Sequence, residues 1–487
     1  MPDDAPVKPE AKPQPSDAIQ ITQHTVNIAG ERVSYTAKAG TVVLKTESEK
    51  DGASEGEKAQ ATIFFVAYTK DGVSEPGKRP ITFCFNGGPG SSSVWLHLGA
   101  YGPRRVVMGD AGALTPPPYT LTDNEYSLLD VTDLVFIDPV STGFSRATEG
   151  VKPKDFHGFQ RDLETVGDFI RLYTAREQRW LSPKFLSGES YGTTRASALA
   201  GYLQERHGMY LNGVILVSTV LDFSTILFES GNDLPHVLYL PAFTATAWYH
   251  QRLEPALQRD LRAALQESED FARTEYAQAL FAGSSLEKTQ RSSIAERVAR
   301  LTGVSHDFVE RCNLRLEIMR FTKELLRDRA LTVGRLDARF TGVDRDSAGE
   351  MMEFDPSLAA ITGPYTAALN HYVRAELRFE SDLPYEILTN KVRPWSYKEF
   401  ENRFVYVAET LRKAVAMNPG LRVMVLNGYY DLATPYSASD YVFNHLGLPE
   451  ELQANLETRY YEAGHMMYVN LECLAQMKRD IAGFLGA

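Results

Sequence analysis

Cysteine is scarce in this chain of 487 residues: Cys84, Cys312 and Cys473 stand far apart and form no C-x-x-C pair. That spacing excludes a zinc knuckle and offers no disulfide framework, so each thiol reads as a small buried apolar residue. Also missing is any run of about 18 apolar residues, the length that a membrane-spanning helix needs. There is no basic cluster and the formal net charge is −12, which argues against nucleic acid or anionic lipid as a partner. His157, His236, His250 and His371 lack metal-ligand spacing of the H-E-x-x-H kind and read as surface or packing residues. Without a phosphate loop, a dinucleotide fingerprint or an internal repeat, neither metal nor cofactor is expected.

What the chain has in quantity is apolar material: 43% of its residues are hydrophobic, and its length exceeds the usual size of one domain. Residues 1–18 are rich in proline and opposed charges and lack an apolar h-region, so they read as a disordered leader and not as a signal peptide. Residues 19–220 read as the first part of an α/β core. Residues 19–48 alternate polar and apolar around Ala-Gly and Lys-Ala-Gly turns, as antiparallel edge strands do, and Ala61–Thr69 continues the pattern. Ile81–Phe85, Leu134–Ile137 and Gly213–Thr219 are continuous apolar runs that fit buried strands, and Phe156–Arg176 fits a helix. Residues 221–419 carry few strand signals and long charged amphipathic stretches, such as Leu253–Ser268 and Lys288–Leu325, with a small hairpin over Val333–Val343. They are the candidate for an inserted, mainly helical cap. Residues 420–487 return to the core pattern, with strands at Arg422–Asn427 and Thr458–Tyr461 and a helix over Asn470–Leu485. Strands alternating with helices imply a mostly parallel sheet covered on both faces, with its site at the carboxyl ends of the strands.

The stretch LSPKFLSGESYGTTRASALAGYLQERHG, residues 181–208, joins an apolar run to a helical one through Gly188-Glu189-Ser190-Tyr191-Gly192. A nucleophile on a sharp strand-to-helix turn needs small neighbours two positions either side, and Gly188 and Gly192 supply them. Serine at its free pKa is a weak nucleophile, so it needs a base within hydrogen-bond reach and a third group to orient that base. Asp431 and His465 follow Ser190 in the order of the α/β-hydrolase arrangement, each after a strand-like run. Taken singly, each is the commoner solvated Asp or structural His; all three in order after strands are far less expected by chance. Acyl transfer also needs donors for the developing oxyanion. The backbone N–H of Tyr191 and one from the Gly87-Gly88 loop, which follows Ile81–Phe85, are placed to provide them.

The segments FNGGPGSSSVWLHLG, VFIDPVSTGFS, LSGESYG, NGYYDLATP and EAGHMMY resemble, in order and spacing, the hallmark stretches of the serine carboxypeptidase family, an α/β-hydrolase fold with an inserted cap. The resemblance implies Ser190 as nucleophile, His465 as general base and Asp431 as its orienter, with the N–H groups of Gly88 and Tyr191 as oxyanion hole. It also implies that Asn86, Gly87 and Glu189 bind the free C-terminal carboxylate of a peptide substrate. Two facing carboxylates repel unless they share a proton, so acidic pH should favour that binding. One departure stands out: many members carry a second Glu before the Leu-Gly that is here Leu98-Gly99, and this chain has His97. A protonated His97 would attract the carboxylate in its place; a neutral one would leave recognition to Asn86 and Glu189. The few cysteines make the chain bacterial in style and, by analogy, exported. Trp248, Tyr239 and Tyr249 are placed to pack in the cap or to line a side-chain pocket. The activity expected is removal of C-terminal residues through an acyl-enzyme. The rivals are an acyltransferase or esterase using the same triad, and a binding or protective protein with a vestigial site.

Overall fold

In the computed structural model, residues 15–109 and 112–486 are described. Residues 1–14 of the expected leader lie outside them, and Ala18 already opens the first strand. The main sheet is built from β1 (Ala18–Ile28), β2 (Glu31–Lys50), β3 (Ala53–Lys70), β4 (Ile81–Phe85), β5 (Asp133–Ile137), β6 (Lys184–Glu189), β7 (Gly213–Val217), β8 (Arg422–Gly428) and β9 (Leu456–Tyr461). Their order across the sheet is β1-β2-β3-β5-β4-β6-β7-β8-β9, with the short strand Arg146–Ala147 added to β3. The six strands from β5 to β9 run parallel, and β1 to β3 extend the sheet antiparallel.

The parallel strands are apolar throughout because each buries both of its faces. Successive side chains point to opposite sides, so Cys84, Leu134, Phe136, Ile215 and Met424 pack on one face. Phe83, Val135, Ile137, Val214 and Val423 pack on the other. The second face is covered by α1 (Phe159–Arg176) and α2 (Tyr191–His207), whose Val166, Phe169, Ile170, Leu199 and Leu203 are buried there. Burying each such side chain contributes about 1.5–3 kcal/mol. This is the α/β-hydrolase architecture, and it brings the carboxyl ends of β4, β6 and β8 to one rim.

The stretch 221–419 divides three ways in its packing. The helices α3 (Leu234–Tyr249), α4 (Leu261–Phe271) and α5 (Lys288–Thr302) pack on one another in a third hydrophobic cluster, with Phe243 stacked on Phe321 at 4.1 Å. Tyr239 is in that cluster's core, and Trp248 and Tyr249 pack against it. By contrast α6 (Pro356–Ala375) lies on the first face of the sheet with α8 (Leu471–Leu485), while α7 (Ala408–Met417) lies on the second with α1 and α2. An amphipathic helix presents the same sequence pattern whether it covers a sheet or another helix. The hairpin is present as Thr332–Val333 paired with Thr341–Gly342. Two local expectations differ. Lys38-Ala39-Gly40 is not a turn but the interior of β2, where a Cβ on Gly40 would stand 2.0 Å from the Ala18 carbonyl of β1. The helical run expected over 288–325 breaks at Gly303, at φ +71, and again at Asn313 and Leu314, which also adopt positive φ.

Candidate active site

Ser190 sits between the end of β6 and the start of α2 with φ +61 and ψ −130. A non-glycine residue holds such a conformation only when its surroundings over-determine it. Here the Ser190 N–H donates to the Val217 carbonyl at 3.0 Å, and the Ser190 carbonyl accepts from the Thr193 N–H at 2.8 Å. The glycines are sterically required. A Cβ on Gly188 would lie 2.1 Å from the Gly192 carbonyl oxygen, and one on Gly87 would lie 2.5 Å from the backbone nitrogens of Tyr191 and Gly192. The elbow and the Asn86-Gly87-Gly88 loop are thus in direct backbone contact, with Gly88 at φ +102. Among the described residues, the N–H groups of Gly88 and Tyr191 donate to no backbone carbonyl.

His465, after β9, and Asp431, after β8, are both buried, and the imidazole Nδ1 donates to Asp431 Oδ2 at 2.7 Å. Asp431 is held in turn: its Oδ1 accepts the Ala433 and Thr434 N–H groups at 2.7 and 3.0 Å, and its Oδ2 accepts the Thr434 hydroxyl at 2.8 Å. With Nδ1 engaged, Nε2 is the ring nitrogen left for the cavity. Burial works against the charged imidazole, but the charge and hydrogen bond of Asp431, with Glu189 adding to them, outweigh it and raise the His465 pKa. A base whose protonated form is favoured in this way is suited to accept a proton.

Ser190 and His465 line one cavity of about 330 Å³, together with Asn86, Gly87, Gly88, Glu189 and Tyr191. Asn86 Nδ2 donates to Glu189 Oε1 at 2.8 Å, and the Tyr468 hydroxyl donates to Glu189 Oε2 at 2.6 Å. Asn86 is itself fixed, because its Oδ1 accepts the Leu96 N–H and its carbonyl accepts Arg195 Nη1 at 2.6 Å. Burial pushes the Glu189 pKa up to about 7, against the His465 charge and the hydrogen bonds from Tyr468 and Asn86, which lower it; Asp431 adds to the rise.

A sequence profile described as serine carboxypeptidase matches residues 46–474, which contain every one of these groups. The chain belongs to the serine carboxypeptidase family. Serine carboxypeptidase-like 45 of Arabidopsis thaliana is 27% identical over 178 residues, 35% of this chain and 35% of that one. The pheromone-processing carboxypeptidase KEX1 of Saccharomyces cerevisiae is 36% identical over 160 residues, 31% of this chain and 20% of the yeast protein. The lysosomal protective protein of Mus musculus is 26% identical over 168 residues, 34% of this chain and 32% of that one. The matches to these curated relatives thus span about a third of their length or less. The crystal structure of yeast KEX1(delta)p, a prohormone-processing carboxypeptidase, superposes with a TM-score of 0.56 at 17% identity, covering 92% of this chain and 91% of that one. That likeness is one of fold.

In this member of the family the expected role of His97 is not supported. His97 is buried outside the cavity lining, its Nε2 is 2.6 Å from the Tyr68 hydroxyl, and its ring stacks on Phe136 at 4.3 Å. Burial pushes its pKa down to about 3, so it is neutral and cannot attract a carboxylate. The other predicted residues, Ser190, His465, Asn86, Gly87, Gly88, Glu189 and Tyr191, line the cavity, and Asp431 stands behind His465. Tyr468, three residues past His465 in EAGHMMY, has no sequence signal of its own: nothing in a lone tyrosine announces its bond to Glu189. Thr434, Trp95, Arg335 and Arg393 also line the cavity; Thr434 and Trp95 lie in the hallmark stretches and Arg335 in the expected hairpin, but nothing in those patterns assigns their side chains to the site.

Proposed function

We propose that this protein is a serine-type carboxypeptidase that releases C-terminal amino acids from peptides through an acyl-enzyme on Ser190. The observation that carries the reading is a single cavity holding a strained Ser190, an Asp431-oriented His465 and the buried Asn86–Glu189 pair. In this scheme His465 Nε2 takes the proton of the Ser190 hydroxyl as Oγ attacks the scissile carbonyl carbon. The N–H groups of Gly88 and Tyr191 stabilise the oxyanion. Collapse expels the terminal amino acid, whose amine takes the proton back from His465, and water repeats the sequence to free the acyl group. Asn86, Gly87 and Glu189 hold the terminal carboxylate. With a pKa of about 7, Glu189 keeps its proton in mildly acidic solution and can share it with that carboxylate, so affinity for free acids falls as pH rises past neutrality. The three free, buried cysteines support a bacterial-type member.

The decisive experiment compares one blocked dipeptide with a free C-terminus against its C-terminal amide, using parent and Ser190→Ala proteins. The expected outcome is rapid cleavage of the acid alone, falling by a factor of at least about 10³ in the variant. Cleavage of neither by the parent, with Ser190 still labelled by a fluorophosphonate, would move the assignment to an acyltransferase or esterase.

A further inference from the structure

Apart from the tyrosines Tyr191 and Tyr397, five charged or titratable side chains line the cavity: Glu189, His465, Asp355, Arg335 and Arg393. Three of them are spoken for. Glu189 is engaged by Asn86 and Tyr468, and His465 by Asp431. Asp355 caps α6, and its carboxylate accepts the N–H groups of Arg335, Leu336 and Ser357 and the Ser357 hydroxyl. The two guanidinium groups are different. Among the described residues the Arg335 guanidinium has no acceptor, and Arg393 makes one bond, from Nε to Asn390 Oδ1 at 3.2 Å. In a chain of net charge −12, the cavity thus carries two guanidinium groups that form no ion pair among the described residues, while the carboxylates of Glu189 and Asp355 are engaged by other donors.

Their depth says which part of a substrate they meet. Asn86 and Glu189 are 1% and 3% exposed, and Trp95, Ile361 and Met466, in the same lining, are also buried and apolar. Arg335 is half-buried and Arg393 exposed, so both stand toward the open end. A substrate that enters carboxylate first leaves its upstream side chains at that end. Guanidinium pairs with carboxylate through parallel N–H donors, a geometry that an amide or an ammonium does not reproduce.

We propose that Arg335 and Arg393 make the enzyme selective for peptides with an acidic residue just upstream of the scissile bond, foremost in the penultimate position, and an apolar residue at the C-terminus. This rests on the carboxypeptidase reading above.

The test measures kcat/KM for three blocked dipeptides ending in Leu, with Glu, Gln or Lys in the penultimate position, at about pH 6, where a Glu side chain is ionised. The expected order is Glu, then Gln, then Lys, with Glu ahead of Gln by about fivefold, as for a partly exposed charge pair. That lead should shrink in about 0.5 M salt. Arg335→Gln and Arg393→Gln should each lower the Glu-to-Gln ratio, and Arg335→Lys should keep more of it than Arg335→Gln. Equal rates for Glu and Gln in the parent, or a ratio untouched in both Gln variants, would overturn the proposal alone. Release of no amino acid from any of the three, with Ser190 still reactive to fluorophosphonate, would overturn the carboxypeptidase reading and the proposal with it.

Discussion

Glu189 is held by two donors, and removing one of them has a definite sign. The Tyr468 hydroxyl, 2.6 Å from Oε2, favours the charged carboxylate. Tyr468→Phe should therefore raise the Glu189 pKa above about 7 and carry the alkaline fall of kcat/KM for free-acid peptides to higher pH. Ester substrates, which have no carboxylate to share the proton, should show no such shift. A pH profile unchanged for the acids would remove Tyr468 from the binding account. His97 makes the opposite kind of residue-scale statement, one about stability. In the unfolded chain it takes up a proton near pH 6.5, whereas in the fold it resists protonation down to about 3. The stability it contributes is therefore complete above about 6.5 and is lost progressively as pH falls below that. At pH 4.5 the loss amounts to about 2–3 kcal/mol. His97→Gln can still bond the Tyr68 hydroxyl and cannot be protonated. Its thermal midpoint should thus gain on the parent's between pH 7.5 and 4.5; parallel curves would contradict the assignment.

At the scale of elements, α1, α2 and the loop after β4 are tied together by one buried ion pair. Arg195 Nε donates to Asp162 Oδ2 at 2.7 Å and Nη2 to Oδ1 at 3.2 Å, while Nη1 reaches the Asn86 carbonyl. Arg195 is 1% exposed and lies over the rings of Phe85 and Tyr191. Removing one partner of a buried pair leaves an uncompensated charge, which costs about 3–5 kcal/mol. Arg195→Ala should show that loss in denaturant unfolding, and Asp162→Asn added to it should recover part. A loss under about 1 kcal/mol would mean that the pair is solvated. A second tie acts from the cap side. Asp337 and Arg339 pair through two bonds of 2.9 and 2.7 Å, and Arg339 Nη1 holds the Glu462 carbonyl, three residues before His465. The segment that presents Arg335 to the cavity is thereby fastened to the loop that presents His465.

For the whole molecule, the helical cap and the hydrolase core share packing at the site. The cluster around α3, α4 and α5 includes Tyr429, Tyr430, Leu432 and Tyr436, which flank Asp431 in sequence. Cooperative units follow contiguous buried contacts. Calorimetry should therefore give one main unfolding transition, with loss of peptidase activity coincident with it. Two separated transitions, with activity surviving the first, would show that the cap melts without disturbing Asp431. Among the described residues, no helix is long and apolar enough to cross a membrane.

Sequence alone was enough for much of what is decided within a few neighbouring residues, although Lys38-Ala39-Gly40 reads as a turn where a strand continues. The apolar runs that became β4, β5, β7 and β8 announce strands buried on both faces, and the glycines at 188 and 192 announce an elbow, because sterics at that turn admit little else. The order of Ser190, Asp431 and His465 after strand ends was legible for the same local reason. What distant segments bring together was not. His97 is neutral because Tyr68 and Phe136 close over it, Tyr468 serves Glu189 because its loop folds back on β6, and Arg335 and Arg393 face one cavity from stretches 58 residues apart in number. Whether 356–375 and 408–417 covered the sheet or the cap was likewise open, since an apolar stripe does not name its partner. Burial and pairing, which set charge state and specificity, are properties of the packed whole, and only the tertiary structure decided them.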